Sequence, residues 1–438
     1  MGPATVEARG TKHLPGIWSA AHSGEVSDIR EAATTLHGQL QRGLGRAARR
    51  AADRPGAGEY VYDCVRRDPR WDARCDDRSL YYARLMVDLE LPAGPLAEHL
   101  FDPADHADAD EARVRLTLDV LADLVRLSRR EAASPLRRYA EEGAHWFEAL
   151  DTLVRLGDPR LTDGLETLVA ARCDDDALAD LFAGSGGPVA AAWAARSPRI
   201  AAALDRRRGR GRPVPPVAAA RSRRDRTDDE LLDIARRRDD GAIGAIFELG
   251  RRRAPVLLDL AEELLARPSR WGGAVARALW DYGPETLPRA RDWAAERGGC
   301  RGVGLGLLAR HGTREDIPLL MTHLEDALER RDWAASAAPI EGLGRLRAGE
   351  AVPLLKTAWS ESSYSYLRPR VLTALTRTAP HTAEAFTAEG LWDCEEAVRA
   401  IAVQTAPLTD DTRVRLQRLQ LDEAEDPGVR AASAARLV

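Results

Sequence analysis

The chain has 438 residues and a formal net charge of −5, and 44% of its residues are hydrophobic while only 5% are aromatic. A chain of this length can bury a large core, and its slight acidic excess argues against a globally basic protein that coats nucleic acid. The sequence contains no apolar run long enough for a membrane-spanning helix, and it therefore predicts none. The apolar residues are mostly Ala and Leu without a sustained period-2 alternation, which favours an all-α fold.

Composition divides the first half of the chain. Residues 1–16 contain Gly and Pro and are predicted to be a flexible N-terminus. Residues 17–204 are predicted to form an N-terminal helical region with divergent repeats, including an aromatic and acidic segment, 60–101, that is unlike a repeat. Residues 205–229 hold nine arginines and three prolines without amphipathic periodicity. This composition predicts a flexible linker or an exposed loop.

The second half, 230–438, repeats a pattern in which an apolar helical stretch is followed by a second stretch that opens with proline. Proline suits the first helical turn, because its missing N–H needs no partner there and its φ angle is already helical. Glycine before the proline is expected to end the first helix in a left-handed conformation. The prolines are Pro255, Pro288, Pro318 and Pro353, and the glycines are Gly250, Gly283 and Gly312. The regular spacing of these prolines predicts an α-solenoid with two helices per repeat.

Short phrases within these repeats share a common form. The residues concerned are Asp426, Pro427, Val429 and Arg430 at a helix opening, Leu156, Gly157, Asp158 and Pro159 at a turn, and Val352, Pro353 and Leu355 in a second helix. They resemble the HEAT repeat of phycobilisome-lyase-like proteins, and the resemblance extends over residues 140–205 and 228–438. It implies a superhelix of helical hairpins. Members of this class include scaffolds, adaptors, lyase-like chaperones and a few DNA glycosylases, so the resemblance implies a fold and no single function.

Arginine provides all but two of the 64 basic residues, the exceptions being Lys12 and Lys356. Arginine forks suit phosphate groups, but these arginines are spread along the whole chain and are outnumbered by acids. We interpret the bias as the codon usage of a high-GC bacterium. Arg206, Arg207 and Arg208 nevertheless form a candidate partner-binding cluster, which either binds nucleic-acid phosphates or belongs to a solvated tether.

Tryptophan and aspartate are neighbours at several positions, and two pairs in the repeats are candidate partner-binding sites: Trp280–Asp281 and Asp332–Trp333. The resemblance implies one role for them, since HEAT-like DNA glycosylases use tryptophans and an acid to excise cationic alkylated bases. The structural alternative is that the tryptophans pack between repeats and the aspartates cap helices. No catalytic role is assigned to any of the four residues.

The five cysteines are scattered and form no C-x-x-C pair, and the N-terminal stretch 1–16 lacks the apolar core of a signal peptide. These features predict reduced thiols and a cytoplasmic protein.

No motif predicts a catalytic residue, a cofactor or a metal. H-E-x-x-H, P-loop and G-x-S-x-G sequences do not occur, and Gly302, Gly304 and Gly306 are predicted to allow close helix packing instead of forming a dinucleotide loop. The leading expectation is a non-enzymatic scaffold or adaptor that binds a protein partner on the concave face of the solenoid, away from membranes. The alternatives are a nucleic-acid-binding protein, at its sharpest a glycosylase for alkylated bases, and a lyase-like modifying factor.

Overall fold

The computed structural model of the chain describes residues 29, 31–70, 76–102, 111–182, 187–209, 226–239, 241–266, 269–296 and 298–438. The predicted flexible N-terminus, 1–16, lies outside them. Every regular element among the described residues is a helix, and none of these residues forms a strand. The predicted all-α fold is therefore confirmed. No helix in this part of the chain is both long enough and apolar enough to cross a membrane.

The chain forms two compact units. The central unit consists of the described residues between Val214 and Ala351. The two-segment unit consists of a first segment, Val26–Pro213, and a second segment, Val352–Val438. The two segments of this unit are therefore separated in sequence by most of the central unit.

The helices are numbered here in chain order. The first segment has α1 (Leu36–Gln41), α2 (Gly45–Ala51), α3 (Ala57–Arg67), α4 (Arg78–Asp88), α5 (Gly94–Leu100), α6 (Glu111–Arg126), α7 (Ala133–Glu142), α8 (Trp146–Leu156), α9 (Leu165–Arg172), α10 (Asp175–Leu181), α11 (Pro188–Arg196) and α12 (Pro198–Gly209). The central unit has α13 (Asp228–Arg237), α14 (Ala242–Arg252), α15 (Val256–Leu265), α16 (Arg270–Ala278), α17 (Leu287–Ala295), α18 (Arg301–His311), α19 (Ile317–Glu329) and α20 (Ala337–Leu346). The second segment has α21 (Val352–Glu361), α22 (Arg368–Thr378), α23 (Pro380–Gly390), α24 (Glu396–Thr405), α25 (Asp410–Leu421) and α26 (Pro427–Leu437).

Several helices begin at or next to the prolines and the capping aspartate from which the sequence predicted helix starts. Pro288 and Pro318 lie in the first turns of α17 and α19, and Pro255 is the residue just before α15. At α26, the Asp426 side chain accepts hydrogen bonds from the backbone N–H groups of Gly428 and Val429. The aspartate thus satisfies donors that the first helical turn leaves without partners.

The prediction that the glycines before the prolines have a left-handed conformation is wrong. Gly250 lies inside α14, and Gly283 and Gly312 have negative φ angles of −104° and −53°. Arg253 takes the left-handed position after α14, with a φ angle of 54°. A Cβ atom on Gly250 would lie 2.7 Å from the Cβ atom of Ala278, so this glycine is required by helix packing and not by a turn.

Alternate helices pack on one another as well as on their sequence neighbours. In the central unit α14 packs on α16, and α18 packs on α20. In the second segment α22 packs on α24, and α24 packs on α26. Pairs of consecutive helices, such as α17 with α18 and α25 with α26, make the closest associations. Each unit is thus built from adjacent helical hairpins.

The two segments of the two-segment unit meet at Cys394. Cys394 of the second segment is buried in the same cluster as Leu40 and Tyr82 of the first. Its backbone N–H donates to the carbonyl of Gly43 at 3.0 Å, and a Cβ atom on Gly43 would overlap the Cys394 sulfur. The first segment therefore packs directly onto the loop before α24.

Candidate functional site

The central unit exposes two large aromatic side chains. Trp280 is 42% exposed and Phe247 is 41% exposed, and the other large hydrophobic side chains that are exposed in the described part of the chain are aliphatic. An exposed tryptophan costs hydration free energy that a binding partner would recover, so it marks a candidate contact surface. Trp280 is also one of the residues that the sequence predicted.

A rigid turn presents Trp280. Helix α16 continues into a short 3-10 turn, Leu279–Asp281, which carries the tryptophan and the exposed Asp281. The next residue, Tyr282, is buried, and its hydroxyl donates to the carbonyl of Ala254 at 2.7 Å. The turn is therefore anchored to the preceding hairpin, while the indole projects from it.

Arg310 of α18 holds the indole from the side. Its guanidinium lies 5.3 Å from the centre of the Trp280 ring, and its Nη1 donates to the Trp280 carbonyl at 2.6 Å. The hydrogen bond holds the backbone of the turn, and the guanidinium lies against the indole without burying it. We define the Trp280 surface as Trp280 with Asp281, Arg310 and the adjacent Gly306. This surface is consequently ordered before any partner binds.

Two of the three glycines in α18 leave the surface of this helix bare, and one of them, Gly306, lies beside Trp280. A Cβ atom on Gly302 would have no neighbour within 4 Å, and one on Gly306 would meet only the Trp280 Nε1 at 4.0 Å. Gly304 is different, because its Cβ atom would lie 2.7 Å from the Ala290 carbonyl oxygen. The predicted close helix packing is therefore right for Gly304 and wrong for Gly302 and Gly306.

The second predicted pair, Asp332–Trp333, lies elsewhere in the central unit. Trp333 is only 5% exposed, and the Asp332 carboxylate accepts from the backbone N–H of Ala335 at 3.0 Å, just before α20. The buried indole and the bound carboxylate leave this pair without an exposed side of the kind that Trp280 offers.

The two tryptophan–aspartate pairs are not brought together. The Arg345 Nε, near the end of α20, donates to the Ala309 carbonyl near the end of α18 at 2.7 Å, so the C-terminal ends of these helices are side by side. Trp280 lies at this end, beside Arg310, whereas Asp332 precedes the N-terminus of α20. Since α20 has 10 residues, the two positions are separated by about 15 Å of helix.

The predicted arginine cluster has only its backbone described. Arg206, Arg207 and Arg208 belong to the last turns of α12. Most of the predicted linker, residues 210–225, lies outside the described residues. The roles assigned to this segment remain predictions.

A solvent-open cavity of about 610 Å³, lined by exposed and half-buried residues, lies in the central unit where the end of α17, the start of α18 and one side of α19 meet. Its polar lining includes Arg301, Thr322, His323, Asp326 and Arg330. The His323 Nε2 lies 2.9 Å from the Ala294 carbonyl, which fixes the ring against α17. This volume lies within the range of small-molecule sites, and the sequence offered no motif that would have located it.

The surroundings of His323 favour its neutral form. Burial lowers the pKa of His323, and the positive charges of Arg301 and Arg330 lower it further, against the opposing effects of the Ala294 carbonyl and Asp326. The neutral ring donates from Nε2 to Ala294, which leaves Nδ1 as an acceptor. The cavity therefore presents two guanidinium groups and one carboxylate around an uncharged imidazole.

The two-segment unit contains a buried polar network that sequence reasoning missed. Arg78 of α4 is fully buried, contacts Asp76 with its Nε at 3.0 Å, and donates to the backbone carbonyls of Gln41 and Ser363. Arg368 of α22, also fully buried, forms a two-point ion pair with Asp393 and donates to the Cys394 sulfur at 2.9 Å. Only the tertiary structure could reveal these contacts, because most of the partners are far apart in sequence. The members of the network are Asp76, Arg78, Arg368, Asp393, Cys394, Glu395, Arg399 and Glu425.

The thiol in this network has no nucleophilic character. Burial raises the pKa of the Cys394 thiol well above its ordinary value, despite the nearby Arg368. A buried thiol that stays protonated is unreactive. The described cysteines, Cys64, Cys173, Cys300 and Cys394, form no disulfide.

One member of the network, Glu395, keeps an unpaired buried oxygen. Its Oε2 has no hydrogen-bond partner among the described residues. Burial, reinforced by the carboxylates of Asp77 and Asp76, raises the pKa of Glu395 to about 7. Glu425 differs: burial acts to raise its pKa, but the adjacent Arg399 and Arg84 lower it to about 2.

The chain matches no protein-family model, and no curated protein or solved structure matches it. In the described ranges, no group of three or more His, Cys, Asp or Glu side chains is placed to hold a metal ion. The Trp280 surface and the cavity beside His323 are therefore the features from which function is inferred.

Proposed function

We propose that the protein is a HEAT-like α-solenoid that acts as a non-enzymatic protein-binding scaffold or adaptor. We further propose that it comes from a bacterium and is located in the cytoplasm. The observation that carries this proposal is the ordered, half-exposed Trp280 beside Arg310. We assign the Trp280 surface as the contact region for the partner.

The helix arrangement supports the solenoid part of the proposal. In the central unit α14 and α16 pack together, as do α18 and α20, and the helix between them packs as a hairpin partner. Within the second segment, helices α22, α24 and α26 show the same kind of alternation. The alternating helices start at Ala242 and Arg270, at Arg301 and Ala337, and at Arg368, Glu396 and Pro427. These starts recur within the period of about 20–50 residues that is typical of helical-repeat proteins.

The physical properties of the Trp280 surface support the binding part. Tryptophan and arginine are enriched among the few residues that contribute most of the free energy of protein–protein binding. Arg310 restrains the indole in advance, so less conformational entropy is lost on association. The bare flank at Gly302 and Gly306 permits a partner's backbone to approach α18 closely.

The glycosylase alternative is less well supported. Excision of an alkylated base needs aromatic faces and an acid around one extruded nucleotide. Trp333 is buried, and the Asp332 carboxylate accepts from the backbone N–H of Ala335 in the turn before α20, so this pair is not available beside Trp280. An exposed indole beside an arginine is nevertheless compatible with base stacking, and nucleic acid is therefore included as an outcome of the test. No described contact favours the lyase-like modifying factor.

The test compares Trp280→Ala with a matched control, Leu421→Ala. Leu421 is 75% exposed and belongs to the two-segment unit. Tagged protein would be purified from the native host, the co-purifying proteins quantified by mass spectrometry, and nucleic acid quantified before and after nuclease treatment. We expect a protein partner that is retained by the control and lost by Trp280→Ala. With the purified partner, truncation of Trp280 should weaken Kd about thirtyfold, since such a residue contributes about 2 kcal/mol.

Equal partner recovery by Trp280→Ala and by the wild-type protein would show that the Trp280 surface is not the contact region. Recovery that disappears after nuclease treatment would favour the nucleic-acid alternative instead.

A further inference from the structure

We infer that the cavity beside His323 binds a carboxylate group on an acidic segment of the partner protein. This inference rests on the proposed function and extends it, since it names a chemical property of the partner. The site is separate from the Trp280 surface in its residues: none of its lining side chains belongs to that surface.

The Arg301 guanidinium is held in a position in which it can bind a carboxylate. Its Nε donates to the Glu296 carbonyl at 2.8 Å, which holds the guanidinium at the start of α18. Within the described ranges, its two terminal nitrogens make no hydrogen bond and no ion pair. Those nitrogens form the edge of the guanidinium that pairs with a carboxylate through two parallel hydrogen bonds.

Arg330 supplies the second positive charge from the end of α19. Its nearest acid is Asp326, one turn earlier, and the Nη1–Oδ2 distance of 3.5 Å is longer than that of a strong charge-assisted hydrogen bond. Both side chains of this pair are about half exposed, so the pair is weak and easily rearranged. Arg330 can therefore turn toward an incoming anion at little cost.

The charges that face His323 add up to a preference for an anion. Arg301 contributes from α18, Asp326 and Arg330 contribute from α19, and α17 contributes the Ala294 carbonyl. With a neutral imidazole, two positive charges oppose one negative charge. A bound carboxylate would balance the excess.

The size and apolar lining of the cavity select a side chain over a bare ion. The volume of about 610 Å³ exceeds the needs of an inorganic anion. Leu319 and Ala295 line the cavity together with the arginines and offer apolar contact to the methylene groups of a glutamate. A short acidic peptide segment satisfies both requirements.

The experiment follows the imidazole signal of His323 by NMR during pH titrations, with the signal assigned by its loss in His323→Gln. The probes are a hexaglutamate peptide, a hexaglutamine peptide, inorganic phosphate and a short single-stranded oligodeoxynucleotide. Hexaglutamate should raise the pKa of His323 by about 0.5 or more, because its carboxylate offsets the two neighbouring positive charges. Hexaglutamine should leave the pKa unchanged.

Arg301→Gln and Arg330→Gln should each weaken the response to hexaglutamate at least tenfold in apparent Kd, as expected when one charge-assisted contact of about 1.4 kcal/mol is lost. The matched control is Arg314→Gln, an exposed arginine of the same unit that does not line the cavity. Its response should equal that of the wild-type protein.

The inference would be overturned by no pKa change with hexaglutamate, by an equal change with hexaglutamine, or by an unaltered response in Arg301→Gln. A response to phosphate alone would overturn it in favour of a small-oxyanion site, and a response to the oligonucleotide alone would assign the cavity to nucleic acid. Trp280→Ala should retain the hexaglutamate response, so failure of the cavity site and failure of the Trp280 surface give different results.

Discussion

At the scale of single residues, several arginines in this chain donate hydrogen bonds to backbone carbonyls at the ends of helices. Arg310 donates to the Trp280 carbonyl, and Arg345 donates to the carbonyls of Ala309 and Gly312. In the second segment Arg436 donates to the Ala406 carbonyl at the end of α24. Each of these arginines satisfies carbonyls at the C-terminal end of a neighbouring helix, where the helix leaves acceptors without partners and its dipole attracts positive charge.

The pKa of Glu395 leads to a prediction about pH. Its folded-state pKa of about 7 is above its ordinary value of 4.5, so the folded protein binds more protons than the unfolded chain between these values. Stability should therefore fall as pH rises from about 4.5 to about 7 and stay low above that, by up to about 3 kcal/mol from this residue. Glu395→Gln should remove the loss, so the variant should be the more stable protein at pH 8 and should show no such advantage at pH 4.5.

The measurement is the urea unfolding midpoint of the two proteins across this pH range. Glu423→Gln, which changes an exposed carboxylate of the same segment, is the control and should follow the wild-type curve. A constant difference between Glu395→Gln and the wild-type protein at every pH would contradict the assigned pKa.

At the scale of helices, the prolines indicated where several helices begin, but they could not say which glycines pack. Gly304 lies against α17, where a Cβ atom would meet the Ala290 carbonyl oxygen at 2.7 Å and the Trp293 Cβ at 2.9 Å. Gly302, two positions earlier in the same helix, faces open space. The two glycines are therefore alike in sequence and opposite in structural role.

This contrast predicts opposite effects of one substitution. Gly304→Ala should destabilise the protein by about 1–3 kcal/mol, since the added methyl group forces α17 and α18 apart. Gly302→Ala should stabilise it by about 0.5–1 kcal/mol, because alanine has the higher helix propensity and meets no neighbour. Thermal unfolding followed by circular dichroism would measure both, and destabilisation by Gly302→Ala would contradict the open environment described for it.

At the scale of the whole molecule, the second segment completes the fold of the first. Arg84 of α4 pairs with Asp422 and Glu425, and Arg46 of α2 pairs with Glu389. Together with the buried Arg78 network, these contacts link the first segment to the second through charges that are mostly shielded from water. A chain that ended before Val352 would leave several of these buried charges without partners, which is strongly destabilising.

Truncation after Ala351 is therefore expected to unfold or loosen α1–α4 while the helices of the central unit remain protected. Hydrogen exchange measured by mass spectrometry would show faster exchange over residues 36–88 in the truncated protein. Addition of a separate polypeptide that spans residues 352–438 should restore protection. Unchanged exchange in α1–α4 after truncation would show that these contacts with the second segment do not stabilise the first.

The sequence alone determined the fold class and the local positions of helices. The repeat period, the placement of prolines and capping residues such as Asp426 are features of the local sequence. They can therefore be recognised without the tertiary structure. Trp280 was also identifiable as a candidate, because tryptophan beside aspartate is conspicuous in an Ala/Leu-rich chain. Only the tertiary structure decided that Trp280 is exposed while Trp333 is buried. It also decided that Arg301 and Arg330 meet at His323. The same holds for Arg78 and Arg368, which lie in one buried network. These outcomes depend on which helices pack together across the chain, and burial and charge pairing are set by those long-range contacts.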